Sequence, residues 1–121
     1  MAGGTAAGPA PLAAVEARLR KLLEPYRDRL QEGEIYGVPM LRRPGAKAHD
    51  WFAGVQMANG YVKLNFLPMH EHPELLEGIS PALRKRKTGA SVFRFAEVDE
   101  AVFAEVEALL ARGFDVYMGG G

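Results

Sequence analysis

The chain has 121 residues, of which 48% are hydrophobic, enough for one buried core and short of the length that normally divides into two domains. Its 15 basic and 15 acidic residues cancel, which disfavours a protein that holds nucleic acid by charge alone. Cys is absent, which excludes disulfides, thiolate metal sites and Cys nucleophiles together.

Residues 1–10 are rich in Gly, Ala and Pro and lack periodicity. They read as a disordered tail, with no basic n-region and no h-region hydrophobic enough for a secretion signal, and Ala2 rules out myristoylation. No run approaches the 18 or so apolar residues of a transmembrane helix. The expectation is a soluble, intracellular, cytoplasmic protein with one domain over 11–118 and a second tail at 119–121.

From Pro11, apolar residues recur at Leu12, Val15, Leu19, Leu22, Leu23, Tyr26 and Leu30, the three-and-four spacing of an amphipathic helix. Pro25 predicts a kink or break near Leu23, and Gly33 the helix end. Residues 34–41 make a poor first strand, because Gly37 and Pro39 suit an edge or irregular structure. Residues 42–50 read as a loop around Pro44-Gly45.

The strongest local pattern runs from Trp51 to Pro68. Asn59-Gly60 suits a two-residue hairpin turn, in which both central residues take positive φ. The arm after it alternates Val62, Leu64 and Phe66 with Lys63, Asn65 and Leu67. Pro68 stops that arm, and Met69-His70-Glu71-His72 connects it to a short helical pair. Pro73-Glu74-Leu75-Leu76 starts the first member, and Ser80 N-caps the second with Pro81 at N1. Arg84 to Lys87 place cations at that helix's C-terminal end, and Gly89 follows as its stop. Ser91 to Phe95 reads as another strand. Asp99 then caps a last helix with the stripe Val102, Val106, Leu109 and Leu110, which Gly113 terminates, leaving Phe114, Val116 and Tyr117 to fold back.

Strands in a run, flanked by helices, predict an α+β class. The expected architecture is a two-layer domain with an antiparallel sheet of four to five strands. Two long helices cover one face, and the short helical pair is inserted before the last main strand.

This order resembles the YdhG-like family, small bacterial domains mostly of unknown function. The likeness is carried by Leu22-Leu23-Glu24-Pro25-Tyr26, Tyr61-Val62 and Pro68, then Pro73-Glu74-Leu75-Leu76 and Ile79-Ser80-Pro81-Ala82-Leu83. Gly89, Ser91, Phe93, Phe95 and Gly113-Phe114 complete it. The resemblance implies a frataxin-like or secretion-chaperone-like fold, and some relatives are described as possible iron chaperones. The chain departs from the family where Asn65 stands in place of a common His. It departs again where Ala90, Val92 and Arg94 replace the usual Lys, Cys and Asn.

Three groups of residues carry candidate chemistry. His70 and His72, two apart and so on one side of an extended chain, would hold a divalent metal together with a carboxylate such as Glu71 and with His49 or Asp50 as a further ligand; the plainer reading is a solvated loop. If the chain has a site, the sequence points to this end of the hairpin arm. Arg84, Lys85, Arg86 and Lys87 form a basic run that, with Lys63 and Arg94 on neighbouring strands, would bind an anion; helix-end cations explain the run without a ligand. The acids Glu97, Asp99, Glu100, Glu105 and Glu107 would suit a frataxin-type iron carrier, but the facing first helix is basic. Ser80 and Ser91 lack a neighbouring base, so catalysis has little support. Trp51 and Tyr61 read as core or edge fillers.

The leading expectation is a non-enzymatic binding or interaction module offering its sheet face or a groove to a small molecule or protein, since the hairpin is too apolar to stand bare. A metal carrier and a small anion-dependent enzyme are the alternatives. No cofactor is expected outside the metal reading, and a homodimer is compatible with the pattern without being required.

Overall fold

The computed structural model describes residues 9–35, 37–46 and 50–119. The predicted tails therefore fall largely outside the described residues, as does His49. Helix α1 spans Pro9–Leu23, and strands β1 to β4 follow at Gln31–Ile35, Val38–Arg42, Ala53–Met57 and Val62–Phe66. Short helices α2 (Pro68–Glu71) and α3 (Pro81–Arg84), with a 3-10 turn at Pro73–Leu76 between them, precede β5 (Val92–Phe95) and the long helix α4 (Glu100–Tyr117). The strands form one five-stranded antiparallel sheet in the order β1-β2-β3-β4-β5, so the expected α+β two-layer architecture holds.

Helix α1 stops at Leu23, where Pro25 withholds a backbone donor, and passes into a 3-10 turn at Glu24–Tyr26. The break is as predicted, but the helix does not resume towards Gly33. Residues 31–35 instead form β1, which pairs with β2 across a turn in which Gly37 takes φ 79°. The helical spacing of Tyr26 and Leu30 misleads because both side chains reach the core from irregular backbone. Tyr26 packs on Phe52 and Phe114 at 5.3 and 4.9 Å between ring centroids, and Leu30 is buried. Pro39 lies within β2, and that strand is internal. It is tolerated there because the β2–β3 ladder registers only at Leu41↔Ala53.

The central hairpin forms, with Asn59-Gly60 at its turn. Ala58 N–H donates to the Tyr61 carbonyl at 2.9 Å, and Gly60 takes φ 91°. Its register puts Ala53, Val55, Val62, Leu64 and Phe66 on one face, joined from β5 by Phe93 and Phe95. Against that face pack Val15, Leu19 and Leu23 of α1 and Val102, Phe103, Val106, Leu109 and Leu110 of α4, in one continuous core. Arg18 of α1 pairs with Glu100 of α4, linking the two helices at their outer edge.

Gly113 does not end α4, which continues to Tyr117. The glycine faces the sheet, and a Cβ there would overlap the ring of Phe66. Its role is to leave room for that ring, and Phe114 and Tyr117 enter the core as helical residues. Among the described residues, no helix is long and apolar enough to cross a membrane.

Candidate functional site: a cation-lined cleft beside the hairpin turn

With the apolar face of the sheet covered by helices, the opposite face is the more open one, exposed at Arg94 and half-buried at Gln56, Lys63, Asn65 and Val92. Alternation places Gln56 of β3, Lys63 and Asn65 of β4, and Val92 and Arg94 of β5 on that face. The concern that the hairpin is too apolar to stand bare is met by α1 and α4. What remains uncovered is its polar side.

The chain after α3 extends this face by one partial strand. Arg94 N–H donates to the Arg86 carbonyl at 2.8 Å, and Thr88 N–H to the Val92 carbonyl at 2.9 Å. A bridge at Lys87↔Phe93 sets the register. Arg86 therefore opposes Arg94, Arg94 opposes Lys63, and Lys63 opposes Gln56. Three cations stand in one row across adjacent strands. Like charges directly opposite one another destabilise a sheet, by roughly 0.2–1 kcal/mol per pair.

Beside this row lies a cleft of about 330 Å³. Gly60 and Tyr61 of the hairpin turn form one wall, Lys85, Arg86 and Thr88 form the other, and Arg94 sits between them. The Arg94 guanidinium lies 4.1 Å from the centroid of the Tyr61 ring. Stacking of this kind restrains the long Arg side chain and leaves its N–H edges free to donate. Among the described residues, no carboxylate pairs with Lys63, Lys85, Arg86 or Arg94. No acidic residue lines the cleft either. The arrangement is chemically a receptor for anions: several donors, a hydroxyl, backbone at a positive-φ glycine, and no acid.

Of the basic residues singled out from the sequence, Lys85, Arg86 and Arg94 converge here, and Lys63 stands next in the row. Arg84 turns away, donating to the Leu76 carbonyl at 3.1 Å. Lys87 shares the register position of Phe93, which puts it towards the helix side of the sheet. Thr88, which in the sequence follows the basic run as a small residue with a free backbone N–H, lines the cleft as well, while Gly60 stands out in the sequence only as a turn residue. Tyr61, a core or edge filler by its sequence position, has its ring against Arg94.

His70, Glu71 and His72 lie near the far end of β4. The extended geometry that would align the two imidazoles is absent, because Pro68–Glu71 is a helical turn with His72 at its C-cap. Residues two apart on a helix point in widely different directions. His72 Nδ1 lies 3.4 Å from Glu74, while His70 is exposed. Asp50 accepts from Arg43 at 3.0 and 2.7 Å. Among the described residues, no three His, Cys, Asp or Glu side chains group as metal ligands. Asp50, Glu71 and His72 do border a second, smaller hollow of about 140 Å³, together with Arg43 and Tyr117.

The acids of the last helix are spread over local structural contacts. Asp99 accepts from Val102 N–H at 3.3 Å as the N-cap, and Glu100 is paired with Arg18, which holds its carboxyl below the usual carboxylate range. Glu105 accepts from the Ser80 backbone at 2.8 Å and from its hydroxyl. Ser80 is thus a cap, accepting in turn from Leu83 N–H at 3.1 Å.

No family model, curated protein or solved structure matches this chain.

Proposed function

We propose that this chain is a non-enzymatic binding module that holds an anionic ligand in the cleft between the hairpin turn and the segment after α3. The observation that carries the reading is the convergence of Lys85, Arg86 and Arg94, beside Lys63, with no acidic partner among the described residues, in a chain whose overall charge is zero. Four other cations have carboxylate partners, Arg18 with Glu100, Arg20 with Glu16, Arg27 with Glu32 and Arg43 with Asp50, so what distinguishes the cleft is that its unpaired cations stand together. An anion in the cleft would relieve repulsion along the row and gain charge-assisted hydrogen bonds of about 1.5–3 kcal/mol each. We also propose kinship with the YdhG-like family, supported by the shared strings and by a helical pair placed before β5.

The test is thermal denaturation with phosphate, sulfate and carboxylate compounds at matched ionic strength. A ligand at a hundred times its dissociation constant stabilises by about 2.7 kcal/mol. The Arg86→Gln and Arg94→Gln variants are expected to lose that stabilisation while keeping native circular dichroism. No stabilisation of the wild type by any of these anions would reject the reading.

A further inference from the structure

We infer that the ligand of this cleft is a linear phosphoanhydride chain, a diphosphate or longer, bound through its phosphates without a divalent metal. The inference rests on the anion-binding reading above and names the ligand class.

Shape is the first argument. Adjacent strands lie about 4.8 Å apart, so the backbones bearing Arg86, Arg94 and Lys63 span roughly 10 Å in a straight line across the sheet. Arg94 is the central member, and its stacking on Tyr61 restrains it. An isolated phosphate on Arg94 leaves at least one flanking cation uncompensated, whereas a chain laid along the row meets all three.

Charge points the same way. A phosphate monoester carries about −1.5 to −2 at neutral pH. Lys63, Lys85, Arg86 and Arg94 together exceed that, and each further phosphoryl group adds negative charge.

The lining chemistry decides the role of metal. Sites that take phosphate chains with Mg²⁺ hold the ion through carboxylates, and no carboxylate lines this cleft. Chelation by Mg²⁺ neutralises the chain before it reaches the cations, so excess Mg²⁺ weakens binding here. One face of Tyr61 is occupied by Arg94, so the ring is not a bare platform for a nucleobase. Inorganic and nucleoside-linked chains are therefore held alike.

The experiment is calorimetry on the full chain at constant ionic strength with orthophosphate, pyrophosphate, tripolyphosphate, ATP and adenosine. Affinity is expected to rise about tenfold at each added phosphoryl, the equivalent of about 1.4 kcal/mol per step. Tripolyphosphate and ATP should bind similarly, and adenosine not at all. Lys63→Gln is expected to weaken tripolyphosphate severalfold and leave orthophosphate unchanged. Arg94→Gln should weaken every phosphate, and Lys21→Gln, on α1, none. Equal binding of orthophosphate and tripolyphosphate, no effect of Lys63→Gln on tripolyphosphate, strengthening by Mg²⁺, or binding of ATP without tripolyphosphate would each overturn the inference and leave the anion reading standing. Absence of binding by every anion would remove both.

Discussion

Gly113 occupies a place in α4 where any side chain would meet the fully buried ring of Phe66. Replacing a helical glycine by alanine ordinarily gains up to about 1 kcal/mol. Here overpacking costs typically 1–3 kcal/mol, so Gly113→Ala is expected to lower stability by about 1 kcal/mol, read as a drop in the urea midpoint. Combining it with Phe66→Leu, which vacates the space, should give less than the sum of the two single losses. Tyr117 shows a second residue-scale coupling. Its hydroxyl accepts from Arg43 N–H at 3.0 Å and donates to the Asp50 carbonyl at 3.2 Å. Burial, chiefly, raises the ionisation of this phenol above its ordinary value of 10.0. Folding therefore favours the protonated form. The resulting stability is fully present below the unfolded pKa and is lost as pH rises through the folded one. Alkaline titration should destabilise the wild type from about pH 10 upward, and Tyr117→Phe should flatten that decline. An unchanged slope in the variant would mean that Tyr26, raised likewise mainly by burial, carries the effect.

At the scale of elements, the caps show local chemistry tying neighbours together. Asp99 starts α4 by accepting from Val102 N–H, and Asp99→Ala is expected to cost about 1 kcal/mol in chemical denaturation. Ser80 caps α3 and also binds Glu105 of α4, so one serine positions the segment that carries Lys85, Arg86 and Thr88. The caps and both long helices were legible because proline, serine and aspartate act through backbone groups within a turn or two. Two boundaries were not. The end of α1 was extended past Leu23 because Tyr26 and Leu30 keep helical spacing while serving a 3-10 turn and a coil. The end of α4 was cut at Gly113 because a packing glycine and a terminating glycine look identical until the opposing Phe66 is placed.

Across the whole molecule, the division of the sheet into a covered and an uncovered face organises everything else. The helices take the apolar side, and the cation row is left on the other. At low ionic strength the ligand-free domain is held back by repulsion along that row, so Lys63→Gln should raise its stability by a few tenths of a kcal/mol up to about 1. The gain should fade at 1 M salt, where the screening length is near 3 Å. A loss of stability at low salt would show that Lys63 is compensated by a contact other than an anion.

The sequence by itself determined the α+β class, the Asn59-Gly60 hairpin, the caps at Ser80 and Asp99, and the residues available for a basic site. Each of these rests on local periodicity or on a side chain acting on adjacent backbone. Only the tertiary structure decided which basic residues meet. Strand register, with residues 86–88 added to the edge of β5, brings Arg86 beside Arg94 and Lys63, while it sends Lys87 towards the other face and leaves Arg84 on the Leu76 carbonyl. Register is set by long-range pairing and by which face the helices cover. Neither is written in any short stretch of the chain.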